Sequence, residues 1–497
     1  MKSVAVIGAG VGGLGAAIRL AKLGLNVTVF EKNENSGGKI NNLQMGEYRF
    51  DMGPSVFTAP EYIKELYDLC EKDFLSFEYQ KIEQPFNYFF QDGTQINIHA
   101  DHTKLINELS EKLQESKSSL KKYLAKAEKN YLSITPLFVE KSLHRWKHMI
   151  SRDLPNALFR IPKYKLSKTM HEENQDAFQN PKTHQIFNRF ATYNGSDPYQ
   201  APAMLNMIQH LEFNDGVYFP KHGMVQIAHS LYELATSLGV VFKFNEQVEE
   251  IYIDKKMQPK PKVVGLRSIK NNYDFDYVFS NVDVEFTYRK LLSNFKSPEK
   301  ILKQEKSSSA LVFYWGINKE FKALSTHNMF FSDNYKAEFE AIFKSKTLFN
   351  DPTIYVHVSS KLNQQDAPKG KENWFVMINT PIIENQNWDE IKKQAKKLII
   401  EKISKSLNIN LKDLIEEEFV MDPKFIHERY NGLQGSIYGN ASNNKFAAFY
   451  RHPNFSKTID GLYFVGVTVH PGGGIPLALN SAKIAVQCLR EDEKEFK

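Results

Sequence analysis

With 497 residues the chain is long enough for two or three domains and a large buried core, and its hydrophobic (42%) and charged (25%) fractions are those of a soluble globular protein. A net charge of +6 is too small for a dedicated nucleic-acid binder. Only Cys70 and Cys488 are present, in no CxxC pattern, which argues against a disulfide scaffold or a bound metal and fits a reducing cytoplasm; no apolar run is long enough to span a bilayer, so any membrane contact is peripheral.

Residues 4–7 read as a buried strand, and Gly8-x-Gly10-x-x-Gly13 turns the chain into a helix carrying Ala16, Ala17, Leu20 and Leu23. Gly24 ends that helix, residues 27–30 make a second strand, and Glu31 closes the unit. Gly8 and Gly10 let backbone N–H groups approach a pyrophosphate, Gly13 lets the helix lie close to the strand, and the helix N-terminus favours the negative charge. Glu31 is placed to accept from a ribose 2′-OH, which argues for FAD or NAD over NADP. A secretory apolar region is the wrong reading for this stretch, because glycines interrupt it and no cleavage site follows; a membrane span is wrong because Arg19 and Lys22 stand in it.

Asn35-Ser36-Gly37-Gly38-Lys39 is a second glycine turn, which either brings bare backbone and Lys39 to phosphate or flavin oxygen or is an ordinary solvated turn. Tyr48-Arg49-Phe50-Asp51-Met52-Gly53-Pro54-Ser55 follows, then Val56-Phe57-Thr58-Ala59-Pro60. Near the C-terminus, residues 460–466 read as a strand, Val467-Thr468-Val469-His470-Pro471-Gly472-Gly473-Gly474-Ile475-Pro476 as a glycine loop, and residues 477–490 as a helix with Pro476 at its first turn. With these motifs in this order, the chain resembles the phytoene-desaturase family of carotenoid flavoenzymes. The match includes the segment from Phe190 to Met204, where Tyr193, Pro198 and Pro202 are either near the substrate path or structural turn residues.

The resemblance implies an α/β fold with an α+β substrate lobe: a Rossmann-type FAD-binding domain (1–84, 216–284 and 456–497) interrupted by a helical, membrane-associated substrate segment (85–215) and a sheet-and-helix substrate segment (285–455). It implies FAD held by Gly8, Gly10, Gly13, Glu31, Lys39, Gly53, Val248, Gly466, Gly474 and Ile475, with Val248 passing the adenine. A positive helix end behind Gly474 can stabilise negative charge on a reduced flavin. Many flavin oxidoreductases place an acid after the strand glycine; Val467 stands there instead, so contact must come from backbone. His470 is the candidate catalytic side chain, with a loop-fixing hydrogen bond as its other reading.

Between the cofactor motifs, Gln91-Asp92-Gly93-Thr94 marks a hairpin, residues 104–150 read as amphipathic helices, and residues 310–317, 353–360 and 374–380 as strands apolar on both faces. Such faces need covering by helices or, on one side, by a greasy ligand. The helix over 390–407 has a one-sided apolar stripe. Residues 141–168 hold eight Lys or Arg against one acid, interleaved with aromatic and aliphatic residues, which reads as a membrane-docking surface or as a solvated helical face.

The family implies desaturation of a long apolar carotenoid, with oxygen or a quinone as electron acceptor, in the cytoplasm at the inner face of the cell membrane. The stretch from Met52 to Pro60 is nearer the 1-hydroxycarotenoid 3,4-desaturases than the phytoene desaturases, which are the alternative. An amine or protoporphyrinogen oxidase shares the first motif, and a non-catalytic carotenoid or lipid carrier is the third class.

Overall fold

The computed structural model of the chain describes residues 1–149, 164–165, 167–447 and 450–493. Strand β1 (Ser3–Ile7), helix α1 (Val11–Lys22) and strand β2 (Asn26–Phe30) form the first unit. β1 is a short apolar run, as a central parallel strand buried on two sides requires, and β2 buries Val27, Val29 and Phe30 beside it. Helix α1 turns Leu14, Ala17, Ile18 and Leu20 into the core and ends at Gly24, whose φ of +79° suits glycine.

The sheet built on this unit has five parallel strands in the order Leu462–Phe464, Tyr277–Ser280, β1, β2, Val241–Lys243. Val4 stands between Tyr277 and Val27. The helix Ile475–Asp492 crosses α1 at Gly15, where a Cβ would come within 3.0 Å of Leu479. The two ends of the chain therefore share one hydrophobic core, to which Leu14, Leu20, Leu479, Ile484 and Leu489 all belong.

A second sheet has seven strands in the order Ile415–Met421, Ser309–Ile317, Glu372–Thr380, Ile354–His357, His327–Phe330, Phe86–Phe89, Gln95–Ile98. Only His327–Phe330 and Phe86–Phe89 pair in parallel. The hairpin expected at Asp92-Gly93 forms, with Gly93 at φ +87°, and it extends this sheet rather than standing with the helices that follow it. One face carries Leu311, Phe313, Trp315 and Trp374 and is covered by the helix Trp388–Leu407 through Ala395, Ile399 and Ile403, all fully buried. The other face carries Val312, Tyr314, Phe375 and Tyr355 and packs toward the helices His102–Leu113 and Lys117–Ile134.

Most of the basic segment 141–168 lies outside the described residues. In its described part Arg145 pairs with Asp492 at 2.8 Å, and Lys165 and Lys168 both reach Asp176, at 3.1 and 2.5 Å. Among the described residues no helix is long and apolar enough to cross a membrane, and no group of three or more metal-ligating side chains is found.

Candidate functional site

At the C-terminal ends of β1 and β2 the parallel sheet opens into a cleft with about 1090 Å³ of empty space, part of it open to solvent. This is the switch point, with β2 on one side of β1 and the Tyr277–Ser280 strand on the other, where open parallel sheets bind ligands.

The first wall is the glycine turn. Gly8, at φ +96°, donates its N–H to Phe30 O at 2.7 Å, and Gly10 precedes α1 as its N-cap. Asn281 reaches across from the next strand: its Nδ2 donates to Gly8 O at 3.2 Å, and a Cβ at Gly10 or Gly12 would come within 2.9 or 2.7 Å of its side-chain amide. Gly13 does not line the cleft; a Cβ there would sit 2.1 Å from Gly8 O, so this glycine sets the shape of the turn. The first turn of α1 has no acidic residue, which leaves its N–H groups and positive end available to an anion.

Glu31 is buried and lines the cleft. Its Oε2 accepts from Ala9 N–H at 2.9 Å, and its Oε1 from the N–H and Nδ2 of Asn33 at 2.9 and 2.8 Å. Three of about four acceptor positions on the carboxylate are thus used, which fixes the group and leaves one position for a ligand hydroxyl. Val248, at the start of its strand, stands in the cleft wall with Gln247.

The second glycine turn closes the opposite wall. Gly37 N–H donates to Ala9 O at 2.8 Å, so this turn is bridged to the first. Lys39 follows, half-buried, with its Nζ donating to Ile437 O. Burial pushes its ammonium down to about 8, against the attraction of Asp283. Gly53, at φ +83°, packs under this segment rather than lining the cleft: a Cβ there would sit 2.1 Å from Lys39 O.

At the C-terminal wall Gly466 and Ile475 line the cleft, and Gly466 N–H donates to Ser481 Oγ at 2.7 Å. Gly474, at φ +108°, is the N-cap of the helix Ile475–Asp492, which like α1 has no acid in its first turn. His470 is buried and is not among the cleft-lining residues; its Nε2 is 2.8 Å from Lys141 O, its carbonyl accepts from Asn454 at 2.7 Å, and burial pushes its imidazole down to about 3.

Two features carried no assigned role in the sequence. Asn281 is the side chain that the glycine turn closes around, and only its position just past a buried strand hinted at it. Arg49 ties the strand Tyr48–Met52 across the two lobes: it pairs with Asp51 at 2.7 Å and Asp366 at 3.0 Å, while Asp51 accepts from Met224 N–H at 2.8 Å. The network holds the Gly53 segment against the seven-stranded sheet.

Backbone N–H groups at a helix N-terminus, a fixed carboxylate with one open acceptor position, and two further glycine-bounded walls fit a dinucleotide cofactor. From Tyr430 in the cleft wall, aromatic rings then run on in contact across the sheet through Phe425, Phe419, Tyr314, Phe375 and Tyr355, with centroids 5.4 to 6.0 Å apart.

Comparison with known proteins agrees with this geometry. The pattern of the flavin containing amine oxidoreductases matches residues 11–490. A 1-hydroxycarotenoid 3,4-desaturase of Flavobacterium sp. (strain P99-3) is 48% identical over 98% of this chain and 99% of its own. A phytoene desaturase of Fusarium fujikuroi is 28% identical over 99% and 90%. The solved structure of cyclohexylamine oxidase from Brevibacterium oxydans IH-35A superimposes with a TM-score of 0.63 over 99% of both chains at 13% identity, a likeness of fold. The chain belongs to the flavin containing amine oxidoreductase family, within its carotenoid-desaturase relatives, and is a flavin-dependent oxidoreductase.

Proposed function

We propose that this protein is an FAD-dependent carotenoid desaturase that introduces a C=C bond near the end of an acyclic polyene, as a 1-hydroxycarotenoid 3,4-desaturase. The observation that carries the reading is the continuity between the dinucleotide cleft and the aromatic face of the second sheet, since a long apolar substrate needs such a wall beside the cofactor. The relative at 48% identity supports the same substrate class.

In this reading Glu31 takes the adenosine ribose, Val248 the adenine, Gly8, Gly10 and α1 the pyrophosphate, and Lys39, Gly466, Gly474 and Ile475 the flavin end, while Gly13 and Gly53 shape the turns behind them. When bound, FAD supplies two-electron acceptance as a hydride acceptor. The protein's own part is to bind and orient the allylic CH–CH unit against the aromatic wall and to keep water from it. The proton that also leaves comes from a carbon whose charge the polyene spreads, so the reading needs no strong base; His470 acts on the loop and not on substrate.

The electron acceptor is oxygen or a quinone. The basic, aromatic composition of 141–168 supports docking on an anionic membrane at its cytoplasmic face, where a carotenoid dissolves.

The deciding experiment offers the FAD-loaded protein a 1-hydroxylated acyclic carotenoid and, separately, phytoene. The hydroxylated carotenoid is expected to lose two hydrogens and shift its absorption to the red while phytoene is untouched. Conversion of phytoene alone reverses the choice of substrate, and peroxide release with amines but not carotenoids removes the reading.

A further inference from the structure

The inner face of the seven-stranded sheet carries a polar group that neither the cofactor cleft nor the ring-lined wall explains. His327 and His357 face each other as a register pair on neighbouring strands, their rings stacked 4.8 Å apart. His327 Nδ1 is 2.7 Å from Tyr355 Oη, which is 2.7 Å from Ser55 Oγ. Both imidazoles are buried, at 0 and 2% exposure, and among the described residues the Nε2 of neither has a hydrogen-bond partner. Two buried orphan nitrogens on one face are an unusual cost, because each forfeits its hydration without replacement.

We propose, on the reading that the substrate is a hydroxylated carotenoid, that Ser55, Tyr355 and His327, with His357 beside them, anchor the terminal hydroxyl of that substrate.

Two observations place the anchor where the chemistry requires it. The oxygen of a hydroxyl on C1 is only three bonds from C3, so its anchor must stand near the cofactor. The ring run reaches Tyr355 last, but Ser55 brings that end back toward the cleft: it hydrogen-bonds Tyr355 and follows two residues after Gly53, which packs on the carbonyl of the cleft-lining Lys39. Met377, directly opposite Tyr355 on the neighbouring strand, is only half-buried, so this face keeps accessible surface beside the tyrosine. A hydroxyl both donates and accepts, and so satisfies an imidazole nitrogen in either tautomer. Burial holds His327 well below the ordinary imidazole value and pushes His357 down to about 3, with Arg49 adding to the latter. Both rings are therefore neutral at physiological pH and recognise an alcohol without competing for an anion.

The test measures binding of two carotenoids to the FAD-loaded protein by fluorescence quenching: an acyclic carotenoid with a 1-hydroxyl, and the same carotenoid without it. The wild-type protein is expected to favour the hydroxylated form at least tenfold, and Tyr355→Phe and His327→Phe to reduce that ratio about tenfold, equivalent to ~1.4 kcal/mol. Tyr355→Phe removes one oxygen and keeps the ring, so it reports even where the histidine variant does not fold. A merely structural role lowers both affinities alike, and an unchanged ratio in Tyr355→Phe overturns the proposal. A wild-type protein with no preference for the hydroxyl, or that binds neither carotenoid, overturns it too. Binding with the expected preference but without desaturation leaves the anchor standing and removes the proposed reaction instead.

Discussion

Around the parallel sheet the cleft wall is largely backbone. Gly8, Gly10, Gly12, Gly37, Gly38 and Gly466 line it, and beside the Glu31 and Lys39 side chains it offers backbone N–H groups and two helix N-termini. Around the seven-stranded sheet the facing surface is made of side chains: Tyr314, Phe375, Tyr355 and Met377 at its centre, with the buried pair Arg189 and Glu212 behind. The contrast says what each lobe can tolerate. A backbone wall has no atom to trim and no room to add one, so a change there acts on folding and cofactor retention together. A side-chain wall can be altered atom by atom, which suits a lobe whose ligand differs among relatives that share the cofactor.

The largest effect is expected where this contrast is sharpest. In Gly13→Val the new Cβ would lie 2.1 Å from the backbone oxygen of Gly8, with the Asn281 side chain at 3.1 Å beside it. Overpacking of this kind costs about 3 kcal/mol or more. The variant is expected to be insoluble or to purify without flavin absorbance; full flavin content would show that the turn yields and that the wall is not rigid.

In the other lobe the matching test is Glu212→Ala. Arg189 is buried, donates its Nε to Tyr88 Oη at 2.8 Å, and lies over the rings of Phe86 and Phe190 at 4.6 and 4.4 Å; Glu212 accepts from both Arg189 and Tyr193. Removing the acid strands a buried cation, at about 3–5 kcal/mol. Replacing both partners together, as Arg189→Met with Glu212→Leu, is expected to recover most of that loss in denaturant unfolding, because apolar groups of similar size carry no desolvation cost. Equal destabilisation in the single and double variants would mean that the pair is needed for more than mutual compensation.

These two regions also differ in how far sequence revealed them. The cofactor side was legible because its signals are local: Val4 to Glu31 carries strand, turn, helix and acid within one short stretch, and Leu462 to Ile475 repeats the logic with a strand, a glycine loop and a helix start. Asn281 was not assigned, since its role depends on the turn from Gly8 to Gly12 and on Gly466 reaching it from opposite ends of the sequence. In the second sheet the central strands stood out as apolar runs, but Ile415–Met421 did not. It is an edge strand whose Glu416, Glu417 and Glu418 are all exposed, which hides any alternation. The polar group of Ser55, His327 and Tyr355 had no sequence signature either, because residues 300 and 28 positions apart meet only once the sheet is formed.

Lys39 tests whether the cleft gains from a half-buried cation beside its glycine turn. Burial holds the ammonium down to about 8 before any anion arrives. The negative charge of bound FAD favours the charged form and raises that value, so above pH 8 binding must take up a proton. FAD affinity is therefore expected to be flat below about pH 8 and to fall above it, by at most tenfold, ~1.4 kcal/mol, per pH unit. Lys39→Met should bind more weakly at pH 7 and lose this slope. Isothermal titration across pH 7 to 10 reads both, and a slope that persists in the variant assigns the proton to another group.

The smallest effect separates the two ways in which a glycine matters in the parallel lobe. Gly24, like Gly8, has a positive φ, at +79°, but a Cβ there meets nothing within 4 Å. Its only demand is conformational, so Gly24→Ala should cost roughly 1–2 kcal/mol, the penalty of holding an L-residue in the left-handed region. Flavin content should stay at the wild-type level, since the end of α1 is remote from its cleft-facing start. Gly24→Asn should cost less than alanine, because asparagine tolerates that region better. If Gly24→Ala instead loses flavin as Gly13→Val is expected to, then the strain of one turn spreads through α1 to the cleft. The backbone wall would then be a single cooperative unit from β1 to β2, and steric room at each glycine would no longer predict its effect.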